Sequence, residues 1–179
     1  MPSDLSRLLN ALGLVAIDTV LALALIDQLW FRDLPCPICI LQRVAFIAAG
    51  YGIALNLLFG PRPSHYGMTI IGAAVGGAIA LRQILVHIVP GSGSYGNAVF
   101  GMHLYTWAFI CFTLIIVGTA ILLFYERQFT RSEPWSSRLD ALALTTLATF
   151  ILLAVVNILS TLLLCGFGLC PDAPTGYVI

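Results

Sequence analysis

The chain has 179 residues, of which 60% are hydrophobic and only 9% are charged. Soluble globular domains carry about 25% charged residues, so this chain has too few charges to cover a surface that faces water. The composition predicts an integral membrane protein that forms a single domain over residues 1–179. The formal net charge of zero excludes the basic surface that nucleic-acid binding requires.

Five apolar runs follow one another along the chain, and each is long enough to cross a bilayer as a helix. A spanning helix needs roughly 20 predominantly apolar residues. Turn-rich or polar segments such as "GPRPSH" and "PGSGSYGN" separate the runs. The sequence therefore predicts an all-α, multi-pass helical bundle. Its predicted spans are residues 12–30, 40–59, 66–89, 104–125 and 139–164.

The arginines predict how these spans are oriented, because short cytoplasmic loops carry an excess of positive charge. If the N-terminus is cytoplasmic, five arginines fall in cytoplasmic segments and only Arg32 falls in an outer loop. The cytoplasmic set is Arg7, Arg62, Arg127, Arg131 and Arg138. An odd number of spans then places the C-terminus on the outer, periplasmic face.

Four of the five cysteines fall at the outer ends of predicted spans. Cys36 and Cys39 open the second span in "LPCPICILQR", and Cys165 and Cys170 follow the fifth in "CGFGLC". These spacings suit structural disulfides, a four-cysteine zinc or copper site, or two dithiols that exchange electrons. A separation of three residues typically gives a readily reduced disulfide, which favours exchange without excluding the other two interpretations.

Arg43 follows Cys39 by four residues, so the two side chains share one face of a helix. A helix N-terminus and a guanidinium both favour the thiolate form of a cysteine. Arginines near the ends of spans also extend to the membrane surface without any chemical role. The spacing alone leaves both interpretations of Arg43 open.

The segment "PCPICILQR" resembles the quinone-dependent DsbB family of bacterial inner-membrane disulfide-forming proteins. The likeness continues through "LRQILVHIVPG" and "YTWAF" and covers most of residues 34–125. It implies a four-helix core, to which this chain adds a fifth transmembrane helix. It also implies that Cys36 and Cys39 pass electrons to a membrane quinone, ubiquinone or menaquinone. Cys39 would face the quinone ring and Arg43 would assist quinone binding, with no metal involved.

The resemblance further implies a soluble partner, a periplasmic thioredoxin-fold oxidase of the DsbA type. The family's second cysteine pair usually lies between the third and fourth spans, but here that loop, "GSGSYGNAVFGMH", has no cysteine. Because the fifth span returns the chain to the outer face, we expect Cys165 and Cys170 to replace the missing pair. The prediction is a thiol:quinone oxidoreductase. The alternatives are a four-cysteine metal-binding protein and a structural membrane subunit with inert disulfides.

The remaining polar residues of the spans have less specific interpretations. His87, near the outer end of the third span, either binds a quinone oxygen or simply caps the helix end. Arg82 either pairs with Asp18 or faces the quinone, because charges inside a bilayer are costly and usually paired. Gln83 fits a bond to a neighbouring helix as well as a bond to the ring. Cys111 is expected to be a buried, unreactive thiol.

Overall fold

Five long α-helices make up most of the chain, and all five predicted spans are confirmed as helices. The computed structural model describes residues 3–88, 98–129, 137–166, 168, 170, 176 and 177. Residue 89 of the predicted third span and Arg131 lie outside this described part. The helices are α1 (Ser3–Trp30), α2 (Pro37–Phe59), α3 (Pro63–His87), α4 (Leu104–Leu123) and α5 (Ser137–Cys165). Each is long and apolar enough to cross a membrane.

Two short elements, which the apolar pattern did not predict, flank α4. A hairpin of β1 (Ala98–Val99) and β2 (Met102–His103) precedes the helix, and a 3₁₀ helix (Glu126–Phe129) follows it. The indole Nε1 of Trp107 donates a hydrogen bond of 3.0 Å to the Val99 carbonyl. This bond holds the hairpin against the first turn of α4.

Helix α1 begins well before the predicted span because buried polar side chains bond to one another at this end of the bundle. The hydroxyls of Ser6 and Tyr66 donate to Gln128 Oε1 over 2.7 and 2.9 Å. Asn10 Nδ2 donates to the Tyr66 hydroxyl over 2.7 Å, and Asn56 Nδ2 donates to Asn10 Oδ1 over 3.1 Å. These bonds satisfy polar groups that a hydropathy count treats as unfavourable, and they join α1, α2, α3 and the 3₁₀ helix.

Helix α2 occupies the centre of the bundle and packs against α1, α3 and α5, while α4 packs mainly on α3. Small residues allow the closest approach. A Cβ at Gly72 of α3 would lie 2.7 Å from the backbone nitrogen of Ala49 in α2. The rings of Phe46 and Phe112 stack with centroids 3.9 Å apart and join α2 to α4. Close backbone packing of this kind replaces the hydrophobic driving force that is absent inside lipid.

Replacing Gly72 by alanine should therefore separate α2 from α3 and destabilise the bundle by about 1–3 kcal/mol, the usual cost of overpacking a core. We expect a lower midpoint of thermal unfolding in detergent. The matched control is Gly67→Ala on the same helix, because a Cβ there would meet nothing within 4 Å. Equal unfolding midpoints for the two variants would contradict this packing.

Candidate functional site

The Cys36–Cys39 disulfide lies at the start of α2, with the two Cα atoms 5.0 Å apart. Cys36 is the N-cap residue, and its sulfur accepts the backbone N–H of Cys39 over 3.1 Å. Pro37 follows as the first helical residue, where its missing N–H costs nothing. The sulfurs therefore lie at the positive end of the helix dipole, as the sequence predicted. Cys36 is only 3% exposed, whereas Cys39 is half-buried.

The second disulfide joins Cys165 and Cys170 directly after α5, with Cα atoms 4.6 Å apart. Gly166 ends the helix with a φ of +62°, and its N–H donates to the Leu162 carbonyl over 2.8 Å. A left-handed glycine is a common way to stop a helix. It turns the chain so that a cysteine five residues beyond the helix end can reach back to Cys165.

The tail disulfide packs against the segment that carries the first one. Ile40, Leu164 and Cys165 form a small buried cluster, and Leu34 and Cys170 pack on it. Ile40 directly follows Cys39, and Leu34 lies just before the Pro35–Cys36 step. The structure therefore brings cysteine pairs from distant parts of the sequence to the same end of the bundle.

A cavity of about 510 Å³ opens beside the Cys36–Cys39 disulfide. Cys36, Cys39, Gln42 and Arg43 line it from α2, and α1 and α4 supply mostly apolar walls. Its volume lies within the range of about 300–1,000 Å³ that is usual for small-molecule sites. Cys111, the free cysteine, is half-buried; it packs against the hydrophobic core and also lines the cavity.

The guanidinium of Arg43 is buried, with the residue only 9% exposed. Its Nη1 donates to Gln28 Oε1 over 2.6 Å, and its Nη2 donates to the Ala24 carbonyl over 2.8 Å. Both bonds join α2 to α1 beside the cavity, so the head group lies between the helices. Gln28 in turn donates from Nε2 to the Tyr177 hydroxyl over 3.2 Å, which attaches the C-terminal region to the same place.

Gln83 of α3 contacts the disulfide directly and is completely buried. Its Nε2 lies 3.4 Å from the Cys36 sulfur and 3.6 Å from the Cys39 sulfur, and it donates to both. Its Oε1 accepts a hydrogen bond of 2.8 Å from Gln42 Nε2. Gln83 therefore bonds both a neighbouring helix, as the sequence allowed, and the sulfurs, which the sequence analysis did not anticipate.

His87 does not line the cavity, but it contacts a residue that does. Its ring stacks on that of Tyr105 with centroids 5.5 Å apart, and Tyr105 lines the cavity while His87 does not. The Nδ1 of His87 is 2.8 Å from the Gln83 carbonyl. A direct role for His87 in binding a ligand stays a prediction; in this geometry its ring packs on Tyr105.

Arg82 and Asp18 are not brought together, and Arg82 does not line the cavity. Position 82 falls on an exposed face of α3, next to the buried Gln83, because neighbouring helical residues point about 100° apart. Asp18 is buried in α1, and its Oδ1 has no hydrogen-bond partner among the described residues. The arginine that lines the cavity is therefore Arg43. The geometry supports neither role expected for Arg82, pairing with Asp18 or facing the quinone.

Sequence reasoning missed the roles of Gln28 and Gln42. The sequence does indicate them, because a glutamine inside an apolar span is costly and is usually hydrogen-bonded to a neighbouring helix. Gln42 lies three residues after Cys39 and one before Arg43, so it faces the same region as the cysteine.

The family model for "Disulfide bond formation protein DsbB" matches residues 6–95, which is half of the chain. The chain belongs to the DsbB family. Together with the five apolar helices, this membership makes it an integral membrane protein. The resemblance inferred from "PCPICILQR" is confirmed.

Relatives named "Disulfide bond formation protein B" match 44% of the chain. The protein of Xanthomonas euvesicatoria pv. vesicatoria is 42% identical over 84 residues, which cover 44% of this chain and 49% of the relative. That of Methylobacillus flagellatus is 39% identical over 83 residues, covering 44% and 50%. That of Chromohalobacter salexigens is 30% identical over 84 residues, covering 44% and 49%. The match thus spans about half the length of these relatives, and no solved structure matches the chain.

The family match includes the first disulfide, Arg43, Gln83 and His87 but stops at residue 95. Helices α4 and α5 and the tail disulfide lie beyond it.

The two disulfides predict a simple pattern of thiol accessibility. In unfolded but unreduced protein, a maleimide mass tag should modify only Cys111, and after reduction it should modify all five cysteines. Peptide mass spectrometry should find the Cys36–Cys39 and Cys165–Cys170 linkages. A linkage between the two pairs as the resting form would contradict the pairing in this structure.

Proposed function

We propose that the protein is a membrane thiol:quinone oxidoreductase that forms disulfides. It reoxidises a DsbA-type thioredoxin-fold oxidase of the periplasm and passes the electrons through Cys36 and Cys39 to ubiquinone or menaquinone. It would act in the bacterial inner membrane with both cysteine pairs on the periplasmic face. The observation that carries the proposal is one apolar cavity that is lined by the Cys36–Cys39 disulfide and Arg43 together.

The chemistry of the cavity fits a quinone headgroup. Its mostly apolar walls suit a lipid-soluble ring, and its few polar lining residues include Asp27, Gln42 and Arg43. A guanidinium carries five N–H groups, which is more than its bonds to Gln28 and Ala24 use. Arg43 is therefore placed to donate to a quinone oxygen while α1 holds it still. A bound quinone supplies an acceptor for two electrons and two protons.

The tail disulfide gives a soluble protein a route to the buried pair. Cys36 is almost completely buried, so a thiol of a large folded partner cannot approach its sulfur from outside. Cys165 and Cys170 pack against Ile40 and Leu34, residues close in sequence to the first pair. A reduced tail can therefore deliver electrons inward after it has met the partner at the surface.

The proposed steps balance as two thiol–disulfide exchanges and one two-electron oxidation. The partner's dithiol reduces Cys165–Cys170 through a mixed disulfide and becomes a disulfide itself. A tail thiolate then attacks the Cys36 sulfur, Cys39 leaves as a thiolate, and the second tail thiol closes the tail disulfide again. Cys39 finally gives up its electron pair to the quinone as the bond to Cys36 re-forms, and two protons accompany the two electrons to yield quinol.

The two alternative functions have less support. A four-cysteine metal site requires free thiolates on all four sulfurs, whereas here the sulfurs are bonded within each pair. Inert structural disulfides would have no need of a cavity beside one of them. The oxidoreductase is therefore the function that we propose.

Changing the electron donor should separate the roles of the two pairs. Cys39→Ser should abolish quinone reduction with every donor, because the electron pair has no route to the cavity. With a thioredoxin-fold dithiol as donor, the variant Cys165→Ser/Cys170→Ser should reduce quinone at least about tenfold more slowly than the parent. That loss corresponds to ~1.4 kcal/mol of transition-state stabilisation. The variant should keep the parent rate with dithiothreitol, which is small enough to reach Cys39. The measurement is the loss of quinone absorbance in detergent.

Quinone reduction that survives Cys39→Ser would refute the proposed electron path. If the tail variant is as fast as the parent with the protein donor, the tail pair is not the entry point for electrons. If neither change has an effect and the purified chain binds zinc tightly under anaerobic conditions, the metal-binding alternative replaces this proposal.

Single tail variants should trap the partner. When Cys165 or Cys170 alone is changed to serine, the remaining tail thiolate attacks the disulfide of the oxidised partner and one partner cysteine leaves as a thiolate. No second tail thiol is left to resolve this mixed disulfide, so it should accumulate with one periplasmic protein. Non-reducing gels followed by mass spectrometry identify it. The control is the double tail variant, which should trap nothing; complexes of equal abundance in that control would show that Cys36 or Cys39 meets the partner instead.

A further inference from the structure

Gln83 is a buried amide whose two ends have different partners. Its Nε2 donates to both sulfurs of the Cys36–Cys39 disulfide, over 3.4 and 3.6 Å, while its Oε1 accepts from Gln42 Nε2 over 2.8 Å. A disulfide sulfur has no proton to donate, so only the NH₂ end of Gln83 can usefully face it. The bond from Gln42 requires an oxygen at the opposite end, and both contacts therefore fix the same orientation of the carboxamide.

Arg43, the other polar group expected to act on the sulfurs, makes its hydrogen bonds to α1 and not to the sulfurs. Its two terminal nitrogens bond to Gln28 and to the Ala24 carbonyl on α1. Cys36 receives one backbone N–H from Cys39, and the side-chain donor found at the sulfurs among the described residues is Gln83. A hydrogen bond to a charged sulfur is stronger than one to a neutral disulfide sulfur, so this donor favours the reduced state.

We propose that Gln83 is a catalytic hydrogen-bond donor which stabilises the thiolate formed when Cys36–Cys39 is reduced, and that Gln42 is the positioning residue that orients its amide. The inference rests on the proposed function, because a stabilised thiolate matters only if this disulfide is reduced and reoxidised. During exchange with the tail, the donor would lower the cost of releasing Cys39. During transfer to quinone, it would hold that sulfur against the wall of the cavity.

The test is the equilibrium of the Cys36–Cys39 pair with a dithiothreitol redox buffer, read by alkylation and peptide mass spectrometry on the purified full-length protein. Gln83→Leu removes the donor. In the double variant Gln42→Leu/Gln83→Leu, both partners are replaced, so no buried amide is left without a partner and the fold is better preserved. Both variants should shift the equilibrium about tenfold toward the disulfide, as expected for loss of a bond to a charged group. In the fully reduced protein, Cys39 should react more slowly with iodoacetamide at neutral pH.

The matched control is Asn157→Leu, which removes another buried amide, one whose Nδ2 donates to the Leu153 carbonyl of its own helix. It should change the equilibrium less than twofold. The proposal is overturned if the double variant unfolds at the parent's midpoint and keeps the parent's equilibrium within twofold. An equal shift in Asn157→Leu would also overturn it, because the effect would then reflect general packing.

This measurement uses neither quinone nor a partner protein, so its outcome is separate from that of the proposed function. A parent protein that never reduces quinone would refute the oxidoreductase proposal. The shift in the Cys36–Cys39 equilibrium caused by the glutamine substitutions could still be measured. An active parent with an unchanged equilibrium in both glutamine variants would refute the role of Gln83 alone.

Discussion

The contact between the end of α5 and the first turn of α2 is the constraint on which the proposed chemistry depends. Cys165 and Leu164 bury themselves against Ile40, and Leu34 and Cys170 close the cluster. Apolar contacts at the rim of a membrane bundle are not replaced by lipid as easily as contacts in its middle, because water lies just beyond. Without this small cluster, the tail disulfide would be an isolated loop and not a neighbour of the first pair.

Two sets of hydrogen-bonded polar side chains lie at opposite ends of the bundle. At one end, Ser6, Asn10, Asn56, Tyr66 and Gln128 satisfy one another and connect the helices. At the other end, the glutamines and Arg43 bond around a cavity and a disulfide. In the first set the polar groups bond to one another, which suits structural support. The second set lies beside a cavity and a disulfide that can be reduced. A bilayer makes unpaired polar groups costly, so such a cluster beside a cavity indicates function.

Much of this arrangement could be predicted from the sequence, for reasons that particular residues make clear. Hydropathy identified all five helices and placed Cys36 and Cys39 at the start of the second. The apolar pattern could not place the beginning of α1, because Ser6 and Asn10 are polar and become acceptable only through partners far along the chain. The same limit concealed Gln83: one residue of helical register decides that it, and not Arg82, faces the sulfurs.

The most direct measurement of the central claim is a cross-link between the two cysteine pairs within one chain. The test uses two double-serine proteins. Cys39→Ser/Cys170→Ser keeps Cys36, Cys111 and Cys165, and Cys39→Ser/Cys165→Ser keeps Cys36, Cys111 and Cys170. Under mild oxidation, at least one should form an intrachain bond from Cys36 to its tail cysteine, with Cys111 left free as the internal control. If neither protein forms that bond while its thiols remain reactive, the two sulfur pairs do not meet and the account is wrong.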